Sequence, residues 1–315
     1  MSTLTIKILP GLCLAAFLGA WGTTGWAARA DQWRDRLARK SATAESRAKG
    51  ASQAPRPVTF AYGPHPLQQI DVWRARGGRG PAPLVVFVHG GGWHRGDKRG
   101  AASEYSPVHF SEQGYVYASI NYRLVPEFKV EDQAGDVALA LKALFGRAAE
   151  FGIDRGRAVL IGHSAGAHLV ALVGTDERYL RAAGLGFADV SGVIPNDGAA
   201  YDVARQIAEG NRIMRDTYLQ AFGTDPARQR ELSPVFHAAA PNAPAFLLLH
   251  VQRRDGVAQA KELEAALRKA GTVVERREFP GAGFEGHAEI NRRLGDPSYP
   301  ATAAVDGWLR RLFSR

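Results

Sequence analysis

A chain of 315 residues has room for one large α/β domain or two small ones, and 45% hydrophobic with 23% charged residues suits a globular protein with a sizeable core. A net charge of +9 and a pI near 9.8 invite a nucleic-acid partner. The lysines and arginines are interspersed with acids, however, and form no basic block or basic–aromatic array, which argues against that class.

At the N-terminus, Lys7 precedes the apolar stretch ILPGLCLAAFLGAWG, and Ala28-Arg29-Ala30 offers small residues where a signal peptidase reads them. The stretch is shorter than the roughly 20 residues of a membrane span. Residues 1–30 are therefore expected to be a cleaved signal peptide of a secreted or periplasmic protein. An uncleaved N-terminal membrane anchor is the alternative. A lipoprotein fits poorly, because Leu12 before Cys13 is large where a small residue is needed. Cleavage would remove Lys7 and Arg29 and no acid, taking +9 to +7. It would also remove the only cysteine, leaving no disulfide, thiolate ligand or cysteine nucleophile.

Residues 31–57 read as a polar segment ending in the linker ASQAPRP, and the folded domain is expected over 58–315. VTFAY and QQIDVW predict an opening antiparallel pair of strands around a Gly-Pro turn. Six apolar runs follow: PLVVFVH (83–89), YVYASINY (115–122), RAVLIG (157–162), SGVIPND (191–197), AFLLLHV (245–251) and VVERREF (273–279). Several are continuously apolar, as expected of strands covered on both faces. Between them, Ala134, Val137, Leu141, Leu144 and Ala148 recur at helical spacing, and QAKELEAALRKAG predicts a helix stopping at Gly271. Strand–helix alternation predicts an α/β fold, a mostly parallel sheet wound on both sides. Residues 198–240 break the rhythm as an insert, either crossover helices or a small cap.

GHSAG (162–166) is a weak motif alone in a chain with 35 glycines. Its setting strengthens it: an apolar strand precedes Ser164 and the helix-compatible AHLVALVG follows. A nucleophile elbow needs that strand–turn–helix arrangement, which stands the hydroxyl at a helix N-terminus. HGGGW (89–93) directly follows another strand, and successive glycines can turn backbone N–H groups toward a developing oxyanion. A plain glycine-rich turn is the alternative for either motif; the ordered pair, each directly after a strand, is far more specific.

A nucleophilic serine needs a base, and the base an orienting carboxylate. Of nine histidines, His287 lies in a glycine-rich loop just past the last strand, where strand ends converge. His163, inside the elbow, and His250, inside a strand, read as structural. The acid is expected between Ser164 and His287 in sequence. Asp255 is preferred because it follows the penultimate strand; Asp197 and Asp202 are its rivals, and Asp225 suits a turn. Arg253 and Arg254 beside Asp255 could pair with its carboxylate, but are expected to face solvent.

HGGGW, NYRL (121–124), GIDRGRAVLIGHSAGAHLVAL and GHAEINRRLG resemble the α/β-hydrolases of the esterase/lipase group, in particular carboxylesterases and arylformamidases with an HGGxW motif. The resemblance runs from about residue 60 to the C-terminus. It implies an eight-stranded sheet, the triad Ser164, Asp255 and His287, and an oxyanion hole from the N–H groups of Gly91, Gly92 and Ala165. Asp136 and Asp154 match positions that read as structural. At the acid the chain departs from the pattern, since RRDGVAQA lacks the Val-Pro that often follows. The expectation is a cofactor-free, metal-free serine hydrolase of small, short-chain esters. Trp93 and Tyr201 could wall the pocket or equally pack in the core. The alternatives are an arylformamidase or amidase, and a non-catalytic binding protein on the same scaffold.

Overall fold

The computed structural model describes residues 56–314 apart from 79 and 100–103. The expected signal peptide and the polar segment up to residue 55 lie outside the described residues. Eight strands form one sheet: β1 (Val58–Ala61), β2 (Gln69–Trp73), β3 (Ala82–Val88), β4 (Val116–Ile120), β5 (Ile153–His163), β6 (Gly192–Asn196), β7 (Ala245–Gln252) and β8 (Val273–Ala282). Their spatial order is β1-β2-β4-β3-β5-β6-β7-β8. Only the β1–β2 and β2–β4 pairings are antiparallel. Each apolar run of the sequence supplies one strand.

Period-two alternation decides what each strand gives to either face. In β3, Leu84, Val86 and Val88 join one core while Val85 and Phe87 join the other. Every residue of β3 is buried, which explains why its sequence shows no polar alternation. Each large apolar side chain so buried stabilises by about 1.5–3 kcal/mol relative to exposure.

Helices cover both faces. They are α1 (Ser106–Glu112), α2 (Val130–Gly146), α3 (Ala148–Phe151), α4 (Ala165–Thr175), α5 (Arg178–Ala182), α6 (Val203–Glu209), α7 (Arg212–Phe222), α8 (Pro226–Glu231), α9 (Pro234–His237), α10 (Arg254–Lys269), α11 (Gly283–Arg292) and α12 (Pro300–Phe313). The α2 stripe Ala134, Val137, Leu141 and Leu144 packs with α4 on one side; Phe110, Ile290, Val305 and Trp308 from α1, α11 and α12 fill the other. α10 ends as expected, with Gly271 at φ 76° donating its N–H to the Arg268 carbonyl. It begins at Arg254, however, five residues before the expected start at Gln259. That extension takes Asp255 into a helix, with consequences for the site. The insert contributes α6 to α9 between β6 and β7. Among the described residues, no helix is long and apolar enough to cross a membrane.

In a parallel sheet all the strand C-termini point to one edge, and loops from separated parts of the chain meet there. The segments after β3, β5, β6 and β8 carry HGGGW, Ser164, Asp197 and His287 to that edge.

Candidate active site

Ser164 is the single residue between β5 and α4, held at φ 56° and ψ −118°. A side chain in this region costs on the order of 1–3 kcal/mol, so the surroundings must impose it. A Cβ on Gly162 would lie 2.2 Å from the Gly166 carbonyl oxygen, and one on Gly166 would lie 2.1 Å from that of Val88. Both glycines are thus required by close backbone approach. Among the described residues, four non-glycine residues have positive φ: Trp93, Ser164, Asp197 and Ala200. All follow β3, β5 or β6, on the segments that build this edge.

The Ser164 hydroxyl lies 3.0 Å from His287 Nε2, and His287 Nδ1 lies 2.5 Å from Asp197 Oδ2. With Nδ1–H donating to the carboxylate, Nε2 accepts from Ser164. His287 stands on α11; the stretch read as a loop is the end of β8 and the start of this helix.

The structure brings Asp197 to His287, and not Asp255 as expected. β7 runs to Gln252 and α10 begins at Arg254, so no loop carries Asp255 back to the sheet edge. Asp255 sits in the first turn of α10, where it accepts from Gln206 at 3.0 Å and Arg253 at 3.2 Å. Asp197 directly follows β6, next to the elbow strand, and accepts a further bond from the Val251 N–H at 3.1 Å. It is fully buried. Burial pushes its carboxyl up, but the His287 hydrogen bond, the charges of Arg253 and His287, and the Val251 N–H together hold it below the usual carboxylate range. The other rival, Asp202, is a helix cap that accepts from Arg205 N at the start of α6, and Asp225 likewise accepts from Ala227 N at the start of α8.

The glycine loop lies against the elbow. A Cβ on Gly90 would come within 2.9 Å of the Ser164 Cβ. Gly91 and Gly92 have φ of 122° and 62°, which turns this backbone in a way side chains resist. Ala165 opens α4 beside Ser164, at the positive end of that helix. His89 is anchored beneath, stacked on Tyr122 at 4.2 Å.

Trp93 and Tyr201 are buried in the core, the second of the two places the sequence left open to them, and not walls of a pocket. Trp93 is 3% exposed, and its indole N–H donates to His168 Nδ1 at 3.3 Å. Its ring meets Tyr218 and Phe222 of α7 edge-on, so it fastens the insert to the glycine loop. Tyr201 is 2% exposed and lies so close to Gly198 that a Cβ there would sit 2.4 Å from its hydroxyl. Asp136 and Asp154 are structural as expected. Asp136 is buried and takes Arg123 and Gln68, while Asp154 pairs with Arg157 at 2.6 Å.

Three histidines around the site are buried and kept neutral. Burial pushes His163 down to about 3, helped by the charge of His287 beside it; its Nε2–H donates to the His287 carbonyl at 2.9 Å and ties α11 to the elbow. Burial likewise takes His89 and His168 to about 4. Because these folded values lie below the ordinary 6.5, the unfolded chain binds the protons first. The stability they contribute is full above pH 6.5 and is lost as pH falls toward 4, at up to about 1.4 kcal/mol per pH unit for each. Thermal melting should therefore shift steadily downward from pH 7 to pH 5; a level Tm would contradict neutral burial. Arg253, expected in solvent with pairing to Asp255 as the alternative, takes that alternative, and nothing in the sequence signalled its approach to Asp197. It turns inward, with its side chain 18% exposed and its Nε 3.5 Å from Asp197 Oδ2. Among the described residues, no group of three or more His, Cys, Asp or Glu side chains is placed to hold a metal ion.

The BD-FAE family model matches residues 70–267, more than half of the chain. The chain belongs to the BD-FAE family. Among curated proteins, this BD-FAE member is 32% identical to esterase LipC of Mycobacterium tuberculosis over 235 residues, covering 70% of this chain and 58% of that one. It is 31% identical to esterase LipQ of the same organism over 274 residues, covering 81% and 62%. The chain thus spans about six-tenths of the length of these relatives. Among solved structures it superposes on esterase B from Lactobacillus rhamnosis with a TM-score of 0.64 at 20% identity, covering 91% of this chain and 96% of that one. A truncated carbohydrate esterase from gut microbiota gives 0.68 at 17% identity, covering 84% and 99%. At these identities the likeness is one of fold. The BD-FAE chain has the α/β-hydrolase fold.

Proposed function

We propose that the protein is a serine hydrolase of carboxylic esters that works through an acyl-enzyme. The observation that carries this reading is the hydrogen-bonded series Ser164–His287–Asp197 on a strained elbow beside a glycine loop. The esterase relatives support it. His287 Nε2 takes the Ser164 proton as Oγ attacks the ester carbonyl carbon. The N–H groups of Gly91, Gly92 and Ala165 receive the negative oxygen of the tetrahedral intermediate. Collapse of that intermediate expels the alcohol, to which His287 returns the proton. Water, deprotonated by His287, attacks the acyl carbon; collapse of this second intermediate breaks the bond to Ser164 Oγ, which takes the proton back from His287 as the acid leaves. Asp197 holds the ring tautomer and stabilises the imidazolium throughout.

The substrate class is small esters with short acyl chains. A Cβ on Gly92 would lie 2.9 Å from Thr217 Cγ2, so α7 comes down onto the glycine loop and restricts the room above it. The insert helices have at most 11 residues and offer little shelter for a fatty chain. Phe284, 80% exposed with its ring 6.2 Å from that of His287, gives the mouth an apolar border. A series of nitrophenyl esters tests this reading. Each methylene that finds a pocket adds about 0.8 kcal/mol, so kcat/KM should peak between acetyl and hexanoyl and decline beyond. Rates still climbing at dodecanoyl would refute the short pocket, and a formamide outpacing every ester would favour amide chemistry.

A further inference from the structure

We propose that Arg253 is a positioning residue for the Asp197–His287 pair, and that Asp255 on its other side tunes the positive charge the pair feels. The inference rests on the hydrolase reading above and assigns the residues that support its acid. Arg253 is the single residue between β7 and α10. Its Nη2 donates to the carbonyl oxygens of Asp197 at 3.3 Å and Gly198 at 3.1 Å. Its Nε faces Asp197 Oδ2 at 3.5 Å, and its Nη1 donates to Asp255 Oδ2 at 3.2 Å. One planar guanidinium therefore spans two carboxylates and pins the main chain around Asp197.

That main chain needs pinning. Asp197 has φ 46°, an unfavourable conformation for a side chain that must aim at His287. A rigid fork holding two successive carbonyls fixes the turn more firmly than a single bond would. Gly256 leaves room for the fork, since a Cβ there would sit 3.1 Å from Nη2. Asp255 is held in turn by Gln206 of α6, which also donates to the Tyr218 hydroxyl of α7 at 3.0 Å. The insert and the acid are thus joined through Asp255 and Arg253.

The remaining groups around the pair leave these two charges decisive. From β5, His163 is neutral, and from β7, burial lowers His250, which contacts Arg276 and Glu278 on β8. From the insert, burial raises the phenols of Tyr201 and Tyr218, and next to α12 it takes Tyr299 to about 12, so all three stay neutral. On α11 itself, Glu289 is paired with Arg293, and Glu285, two residues before His287, is exposed, where water and salt screen its charge. Removing the Arg253 cation should let the Asp197–His287 pair take up its proton at higher pH. Removing the Asp255 anion should do the reverse.

The test follows the His287 ring resonances against pH in wild type, Arg253→Met, Arg253→Lys and Asp255→Asn, alongside the pH profile of kcat/KM on nitrophenyl acetate. In Arg253→Met the midpoint and the acid limb should both move up by about half a pH unit or more. In Asp255→Asn they should move down by less. Arg253→Lys keeps the charge and loses the fork, so its midpoint should stay near wild type while kcat falls. A purely structural role would not produce opposite shifts. Coincident midpoints, or shifts of one sign in Arg253→Met and Asp255→Asn, overturn the proposal. If Arg253→Met does not fold, a wild-type midpoint in Asp255→Asn or wild-type kcat in Arg253→Lys overturns it equally. A wild type that shows the titration pattern but turns over no ester overturns the hydrolase reading and leaves the clamp standing.

Discussion

Ser164→Ala is expected to lower kcat on nitrophenyl acetate by on the order of 10⁶-fold, with melting close to wild type. In the proposed mechanism the hydroxyl oxygen is the atom that attacks, and His287 Nε2 stands 3.0 Å from it, within reach of its proton. Alanine has no atom to replace it. The methyl side chain keeps the φ of 56° no worse than serine does, so the elbow should persist. Residual catalysis of about 10³-fold over water should remain from the N–H groups of the glycine loop and from substrate positioning. Steady-state rates with a mass check for serine contamination would measure the loss, and a fluorophosphonate probe should label wild type and spare the variant. Activity within tenfold of wild type would end the assignment of Ser164 as nucleophile.

The sheet was legible because a strand buried on both faces has no choice but to be apolar: Pro83 to Val88 and Ala245 to Val251 read as strands without any knowledge of their neighbours. Ser164 and the glycine loop were legible for a related reason. Backbones that approach as closely as Gly162 and Gly166 tolerate no side chain, so the geometry leaves a mark in residue type. Asp197 left no such mark. Two carboxylates follow neighbouring strands, and the deciding fact is that β7 passes almost directly into α10 while β6 ends in a turn at positive φ. A hint was present, since the buried stripe Gln259, Ala260, Leu263 and Leu267 extends back to Gly256. An acid just before that stripe belongs to a helix's first turn, where the macrodipole favours it. Trp93 and Tyr201 were ambiguous because an aromatic beside a site can face the ligand or the core, and only the packing of α7 against Trp93 decides.

Asp197→Asn should lower kcat on the order of 10⁴-fold, while Asp255→Asn should cost less than tenfold near the pH optimum. The asymmetry follows from what each carboxylate touches. Asp197 accepts the Nδ1 proton of His287 at 2.5 Å, so the ring presents a bare Nε2 to Ser164. An amide there can turn its NH₂ toward the ring and force the proton onto Nε2, which then cannot accept from the serine. It also removes the negative charge that stabilises the imidazolium formed during attack. Arg253, 3.5 Å from Asp197 Oδ2, would then face the ring without an intervening anion and deepen the loss. Asp255 touches neither His287 nor Ser164; its bonds go to Arg253 and Gln206. Its amide keeps an oxygen able to accept from either donor, so the expected effect is a modest change carried through Arg253. Because Asp197 is fully buried, the asparagine variant also needs a melting curve to show that lost rate is not lost fold. If Asp255→Asn proved the damaging substitution and Asp197→Asn the mild one, the hydrogen bond from His287 to Asp197 would have no catalytic meaning, and the acid would have to be sought on α10.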